Sequence, residues 1–262
     1  GGEPLARAHL ARLVEMIRRI PEIEQISMTT NGILLKEQLP ELLDAGLDGV
    51  NISLDTLDEN SYEKITGFPL LSRALEGLEA ALDAGIRVRV NTVLLPRDFF
   101  PDLADGWREM LSLARKYPAD LRFIELMPVG EAKKFGEADG EQVKQELKKM
   151  FPGMQPDEIV HGNGPAVYYR IPGFAGTVGL ILAVHEKFCQ NCNRIRLSAT
   201  GKIKPCLCYA ETTDLRRMLR DGSDDRQIRE VLKQTVWKKP ASHCFDHPQE
   251  VTEEQRMSSI GG

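Results

Sequence analysis

The sequence has no apolar run of the roughly 18 residues that a membrane-spanning helix needs. A signal peptide is also missing, because the chain opens with the polar stretch GGEPLARAHLARL. An excess of basic residues is absent too, since the formal net charge is −5. These absences give no reason to expect a membrane or a nucleic acid as a partner, and the expected location is the cytoplasm.

An initiator Met is also absent, and the opening Gly-Gly-Glu-Pro is typical of a loop inside a domain. We interpret this start as that of a chain without the N-terminal part of its protein. The 262 residues, of which 42% are hydrophobic, are enough for one large domain or for one domain with a smaller companion.

The first half of the sequence alternates between helix and strand patterns. Apolar residues at helical spacing predict helices over residues 5–20, 36–45, 71–84 and 101–116. Strand patterns cover residues 25–29, 49–54, 87–95 and 121–127. Strands separated by helices pair in parallel, so the pattern predicts a βα barrel or a doubly wound sheet. In both architectures functional groups lie at the C-terminal strand ends, here near Thr29, Ser53 and Met127 and after Arg89.

The second half has a different character, and we expect a domain boundary between residues 130 and 150. A helix is predicted over residues 139–151, and the stretch rich in Gly and Pro that follows contains the strand patterns VYYRI and VGLILAV. Next come a cysteine knuckle, which is the CxxC motif at residues 189–192, and a hairpin with its turn at Thr200-Gly201. Two helices are predicted after it, over residues 213–221 and 224–236.

Four of the five cysteines lie within twenty residues, at positions 189, 192, 206 and 208. In a reducing cytosol this clustering indicates a metal site rather than disulfides. A zinc ion on all four cysteines and an iron–sulfur cluster explain the spacing equally well. We expect Cys208 to be a poorer fourth ligand than the other three, which leaves three ligands and an open coordination position. We expect the isolated Cys244 to be a buried or surface thiol.

Two arginines directly follow the CxxC motif. A strand would place Arg194 and Arg196 on the same face, where two guanidinium groups could bind a phosphate or a carboxylate. A solvated strand face is the simpler interpretation of such a pair, and the neighbouring cysteines favour the anion site. Arg87 and Arg89 also share a strand face, and an Arg that faces into a barrel needs an anionic partner.

Several motifs together resemble the GTP 3′,8-cyclase family, the radical S-adenosylmethionine (SAM) enzymes of molybdenum cofactor biosynthesis. They are GGEP at 1–4, TTNG at 29–32, NISLD at 51–55, FIELMPVG at 123–130, the cysteine–arginine stretch at 188–207 and the terminal Gly-Gly. The resemblance implies an α/β fold in two parts. Residues 1–140 would form a partial (β/α)6 TIM-like radical-SAM barrel without its first strands. Residues 141–262 would form an α+β extension with an auxiliary iron–sulfur cluster and a Gly-Gly tail.

The resemblance also implies the chemistry, that of a lyase. In the family, one [4Fe-4S] cluster cleaves SAM to a 5′-deoxyadenosyl radical, which abstracts the 3′ hydrogen of GTP. The resulting C3′ radical attacks C8 of guanine and gives (8S)-3′,8-cyclo-7,8-dihydroguanosine 5′-triphosphate. A second [4Fe-4S] cluster on three cysteines binds the guanine through its open iron.

The matching motifs show which residues of this sequence correspond to the family's functional residues. The resemblance implies that Cys189, Cys192 and Cys206 hold the second cluster. It implies GTP contacts for Thr29, Arg89, Arg194 and Arg196, and SAM contacts for Gly2, Glu3, Ser53 and Met127. Gly261 and Gly262 match the tail that reaches into the family's active site.

The sequence departs from the family in one respect that matters for activity. The CxxxCxxC motif of the SAM-cleaving cluster lies upstream of GGEP in the family and is absent here. We therefore expect that cluster only in the full-length protein and expect the chain as given to be inactive in the radical step. Cys208 stands where the family usually has another residue.

The implied partners are GTP, SAM, an electron donor such as flavodoxin or ferredoxin, a downstream pterin synthase and a second copy of the chain in a homodimer. Two alternatives stay open. One is another radical-SAM enzyme with an auxiliary cluster, and the other is a nucleotide-binding protein with a structural zinc.

Overall fold

The computed structural model describes residues 2–136 and 140–260. The chain divides into two compact units. The sheet unit comprises Glu3–Glu125 and Ala138–Ile181, and the cysteine unit comprises Gly1–Gly2, Leu126–Glu137 and Leu182–Gly262. In the described part of the chain, no helix is both long and apolar enough to cross a membrane.

Helices and strands alternate along most of the sheet unit. They are α1 (Leu10–Arg18), β1 (Ser27–Thr30), α2 (Leu35–Asp44), β2 (Gly49–Ser53), α3 (Glu59–Thr66), α4 (Leu71–Asp83), β3 (Arg87–Leu94), α5 (Trp107–Lys116), β4 (Asp120–Glu125), α6 (Gly140–Met150), β5 (Gln155–Pro156), β6 (Val167–Arg170) and β7 (Thr177–Ile181). The strand order is β1-β2-β3-β4-β7-β6-β5. Strands β1 to β4 and β7 run parallel, and β6 and β5 add as antiparallel strands.

Local chemistry explains where these elements begin and end. The Asp58 carboxylate accepts a hydrogen bond from the Ser61 amide at 2.8 Å and caps α3, which stops at Gly67 with a φ of 81°. Gly77 lies in the middle of α4 because a β-carbon there would collide with the Gly32 carbonyl. This close approach sets α4 against the loop that follows β1.

The two faces of the sheet differ in chemistry. One face is apolar and lies in the core, with Val50, Ile52, Val90 and Phe123 completely buried. The other face is polar, and the strand register aligns Thr29, Asn51, Arg89, Asp120 and Thr177 in one row across five strands. Parallel sheets are usually apolar on both faces, so a polar face indicates that it has a function other than packing.

The cysteine unit contains a small antiparallel sheet in the order β10-β9-β8. Its described elements are β8 (Arg196–Leu197), β9 (Lys202–Lys204), β10 (Thr213–Asp214), α7 (Leu215–Arg220), α8 (Asp225–Trp237) and α9 (Met257–Ile260). A 3-10 turn at Cys189–Asn191 precedes the sheet. The β8–β9 hairpin turns through Gly201, whose φ of 79° favours glycine. The hairpin expected at Thr200-Gly201 is thus confirmed.

The predicted α/β class is confirmed in its general form, with a sheet made mainly of parallel strands. A closed barrel is not found among residues 2–136 and 140–260, since β1 and β5 are the two ends of an open strand order. The strand patterns VYYRI and VGLILAV, which we assigned to the second half, form β6 and β7 and extend the first sheet through β4.

Candidate active site: a polar sheet face and a cysteine knuckle

Glu3 holds the loop at the start of the chain against the end of β1. Its Oε1 atom accepts hydrogen bonds from the Thr30 hydroxyl at 2.6 Å and the Leu5 amide at 3.0 Å. Its Oε2 atom accepts one from the Asn31 amide at 2.8 Å. This geometry suits a residue that shapes the loop, while the contact between Glu3 and SAM stays a prediction.

A row of hydrogen bonds crosses the polar face from β1 to β4. Asn51 Nδ2 donates to Thr29 Oγ1 at 3.2 Å, and Arg122 Nη2 donates to Asn51 Oδ1 at 3.0 Å. Arg122 Nε donates to Asn91 Oδ1 at 2.8 Å. The structure therefore brings Thr29, a predicted GTP residue, into one network with Arg122.

Sequence reasoning missed Arg122, although its signal was present. In DLRFIE the polar residues Asp120 and Arg122 alternate with the buried Leu121 and Phe123, as Arg87 and Arg89 do in the preceding strand. Burial lowers the pKa of Arg122, and the charge of nearby Arg89 acts in the same direction. Its hydrogen bonds to Asn51 and Asn91 go to neutral amide oxygens, while Tyr168 and the charge of Asp120 partly offset the lowering of its pKa. A half-buried cation on this face is suited to an anionic ligand.

Arg89 also lies on the polar face and is only 8% exposed. Its Nη2 atom donates to the His161 carbonyl, and its Nε atom lies 3.6 Å from Asp120 Oδ2. That Nε atom is buried and has no hydrogen-bond partner in the described residues. A buried donor without a partner is costly, and a ligand oxygen or a water molecule would satisfy it.

The loop after β5 covers this end of the polar face. The His161 ring lies between two carboxylates, 3.0 Å from Asp120 and 2.9 Å from Asp157, and stacks on Tyr168 with ring centroids 4.1 Å apart. Burial raises the pKa of Asp157, but hydrogen bonds with Arg170 and His161 outweigh it and lower that pKa to about 2. The loop therefore carries its own ion pairs, which stabilise it beside Arg89.

The predicted SAM residues lie in both units. Ser53 is exposed at the end of β2 on the polar face, opposite Asn91. Met127 belongs to the cysteine unit and is half-buried, and its carbonyl accepts a hydrogen bond from the Val129 amide at 2.8 Å. Gly2 has a φ of 75° and open space around it. Gly261 and Gly262, predicted to act in catalysis, lie outside the described residues.

The three predicted cluster ligands are half-buried thiols of the cysteine unit. The 3-10 turn brings Cys192 back towards Cys189, whose carbonyl accepts the Cys192 amide at 3.1 Å. Burial raises the pKa of Cys206, and the charges of Cys189 and Cys192 also raise it. The role of these three thiols as ligands of one cluster stays a prediction.

Nitrogen donors surround these thiols. The His243 amide donates to Cys189 Sγ at 3.3 Å, and Lys239 Nζ donates to Cys192 Sγ at 3.3 Å. Burial raises the pKa of Cys192, but the Arg194 amide and Lys239 outweigh it, so that the net shift is downward. A lowered pKa favours the thiolate, which is the form that binds metals.

Arg194 and Arg196 lie beside the knuckle on its half-buried side. Exposure alternates from residue 192 to residue 198, with Cys192, Arg194 and Arg196 on one side and Ile195 and Leu197 exposed on the other. Burial lowers the pKa of both guanidinium groups, and the Cys192 charge partly offsets this. Two partly desolvated guanidinium groups on one side of the chain form a site suited to an anion.

Cys208 and Cys244 pair with each other. Both are buried, their Sγ atoms are 2.8 Å apart, and the Cys244 amide donates to Cys208 Sγ at 3.3 Å. Burial raises the pKa of Cys208 to about 12, which disfavours its metal-binding form.

In the residues that the structure describes, no three His, Cys, Asp or Glu side chains are grouped as a single metal ion would require. The Cys208–Cys244 pair argues against a zinc ion held by all four clustered cysteines, and the iron–sulfur cluster on Cys189, Cys192 and Cys206 stays a prediction.

Two family models match the sequence. The model described as Radical SAM superfamily matches residues 1–105, and the model described as Molybdenum Cofactor Synthesis C matches residues 119–245. Curated relatives with the name GTP 3′,8-cyclase are similar over the whole chain. Those of Clostridium perfringens (strain SM101 / Type A), Pelotomaculum thermopropionicum and Moorella thermoacetica are 41%, 40% and 38% identical over 262, 271 and 265 residues. Each alignment includes 100% of this chain and 80% of the relative.

Proposed function

Because this chain belongs to the GTP 3′,8-cyclase family of radical SAM proteins, we propose that its polar sheet face and its cysteine knuckle bind the reactants of GTP cyclisation. The product would be (8S)-3′,8-cyclo-7,8-dihydroguanosine 5′-triphosphate, a precursor of the molybdenum cofactor. The observation that carries the proposal is that Arg194 and Arg196 lie on the same half-buried side of the chain as Cys192, directly after the CxxC motif.

In the sheet unit, Thr29, Arg89 and Arg122 would bind GTP oxygens. Arg122 is held by neutral amides, and Arg89 has a buried Nε atom without a hydrogen-bond partner in the described residues. An incoming phosphate group would supply an anionic acceptor to these two guanidinium groups. The Thr29 hydroxyl, joined to the same row through Asn51, would orient the ligand.

SAM would bind near the GGEP loop and the end of β2. Gly2 leaves open space for a ligand, and exposed Ser53 offers a hydroxyl donor. Glu3 would keep the loop in shape through its bonds to Thr30 and Asn31. Met127 would contribute a flexible apolar contact.

Cys189, Cys192 and Cys206 would hold a [4Fe-4S] cluster. When bound, such a cluster supplies an iron with an open coordination position to the guanine. Arg194 and Arg196 would orient GTP by charge-assisted hydrogen bonds, and the buried Cys208–Cys244 pair would pack behind the ligand segment without binding metal.

The finer architecture belongs to the same proposal. The open sheet would be part of a (β/α)6 barrel, with residues 1–140 as barrel and residues 141–262 as extension. A flavodoxin-like or ferredoxin-like electron donor, a downstream pterin synthase, a homodimeric state and a cytoplasmic location are further proposals. Gly261 and Gly262 would act on GTP as the family's tail does.

Iron content provides the first test. The wild-type chain, purified anaerobically and reconstituted with iron and sulfide, should bind roughly four iron per chain. Cys192→Ser should abolish iron binding, whereas Cys208→Ser should leave it unchanged, because Cys208 pairs with Cys244. A colourless protein with one zinc per chain would favour the structural-zinc alternative.

GTP binding provides the second test and does not depend on turnover. Titration calorimetry on the iron-loaded chain should show at least a tenfold loss of GTP affinity in Arg194→Ala/Arg196→Ala, since lost charge-assisted hydrogen bonds cost about 1.5–3 kcal/mol each. Arg217→Ala/Arg229→Ala is the matched control, because both side chains are exposed in the same unit. Equal affinity in the two double variants would refute the assignment of Arg194 and Arg196.

A further inference from the structure

Lys239 makes three inward contacts at the cysteine knuckle. Its Nζ atom donates to the Cys192 carbonyl at 2.7 Å, to the Arg194 carbonyl at 2.8 Å and to Cys192 Sγ at 3.3 Å. An ammonium group has three donors, so all of them are directed at the knuckle. The side chain is half-buried just beyond the end of α8, where the Lys239 amide bonds the Val236 carbonyl.

Lys239 has no acidic partner in the described residues. No carboxylate of those residues lies within ion-pair distance of its Nζ atom, and the side-chain atom that accepts its hydrogen bond is Cys192 Sγ. The other thiols receive backbone donors, from His243 to Cys189 and from Cys208 to Cys206. In the part of the chain that the structure describes, Lys239 is therefore the one charged side chain that donates a hydrogen bond to a predicted ligand sulfur.

Bonds to the two carbonyl groups would be enough to shape the loop. The third bond, to sulfur, adds an effect that loop shape does not need. Hydrogen bonds to cluster sulfurs and the net charge around a cluster set its reduction potential. Partners that act through metal ligands also orient those ligands.

We propose that Lys239 is a positioning residue for the metal centre, which orients Cys192 and stabilises the reduced state of the bound cluster. The inference rests on the proposed [4Fe-4S] cluster at Cys189, Cys192 and Cys206. A positive charge beside a ligand sulfur favours the addition of an electron to the cluster. Lys239 therefore makes the midpoint potential less negative than the same ligand set would have without it.

The test compares variants of the iron-loaded chain in an anaerobic redox titration followed by electron paramagnetic resonance. Lys239→Met should keep its iron and shift the reduction equilibrium about tenfold towards the oxidised state, which is about 59 mV for one electron. Lys239→Arg, which keeps the charge and the donors, should recover most of that shift. Lys233→Met is the matched control, because Lys233 is an exposed residue of α8.

Equal midpoint potentials in Lys239→Met and Lys233→Met, both with full iron content, would overturn the inference. If Lys239→Met binds no iron, Lys239→Gln decides, because it keeps a donor and loses the charge. A more negative midpoint in Lys239→Gln supports the proposal, and an unchanged one overturns it. Failure of the wild-type chain to bind iron would refute the proposed cluster itself and the role of Lys239 with it.

Discussion

The Thr30 hydroxyl donates a 2.6 Å hydrogen bond to the Glu3 carboxylate and so ties the GGEP loop to the end of β1. The same carboxylate accepts the Asn31 and Leu5 amides. Glu3→Ala would remove the acceptor from all three donors at once. Without that acceptor, these partly buried donors would have to bond to water, and any donor left without a partner would lower stability.

We expect Glu3→Ala to lower the free energy of unfolding by about 1–3 kcal/mol, measured by urea denaturation. Thr30→Val removes one of the three donors and also the hydroxyl that accepts the Gly32 amide at 3.1 Å, a separate loss that the cycle subtracts. A double-mutant cycle should give a coupling energy of at least about 0.5 kcal/mol. Glu22→Ala is the control, since Glu22 is exposed. Additive effects of the two substitutions would show that the bond does not contribute.

Much of the secondary structure could be predicted from local patterns, and the differences have local causes. The predicted strand over 87–95 is β3, and the helix predicted over 71–84 is α4. The helix predicted over 5–20 begins at Leu10, because Glu3 caps a separate 3-10 turn at Pro4–Ala6. Apolar periodicity continues through such a turn and does not reveal the break.

The candidate site could be predicted only where the signal lies within a few residues. The common side of Arg194 and Arg196 follows from the two-residue period of an extended chain. The row that joins Arg122 to Thr29 depends on the register of four strands, which local sequence does not encode. Lys239 is 47 residues from Cys192, and its contact depends on where α8 ends.

Arg122 provides a test of the polar sheet face. Arg122→Gln in the iron-loaded chain should weaken GTP binding at least tenfold, because the half-buried guanidinium group would lose its charge-assisted bond to a phosphate. Titration calorimetry with GTP measures the change. Arg12→Gln is the control, since Arg12 is exposed in α1. GTP affinity equal to that of Arg12→Gln would exclude Arg122 from the binding site.

The lowered pKa of Asp157 predicts that the stability of the protein depends on pH in the acid range. Its pKa is lowered from 3.8 to about 2 in the folded protein. A depressed carboxylate pKa contributes stability that is present above about pH 4 and lost as the pH falls towards 2. Asp157→Asn should remove about 1–2 kcal/mol at pH 6 and less at pH 2.5, since part of the contribution is already lost there. Urea unfolding at the two pH values measures this difference, and an equal loss at both would contradict the predicted linkage.

Lys204 and Glu253 form a buried ion pair in the cysteine unit, with side chains only 3% and 2% exposed. Lys204→Met would leave a buried carboxylate without its cation, so we expect a loss of about 3–5 kcal/mol in the free energy of unfolding. Lys204→Met/Glu253→Gln removes both charges and should be more stable than the single variant. Lys134→Met is the control, because the Lys134–Glu131 pair is exposed and should contribute less than about 1 kcal/mol. If the losses in Lys204→Met and Lys134→Met are the same in urea denaturation, burial does not govern the energetics of this pair.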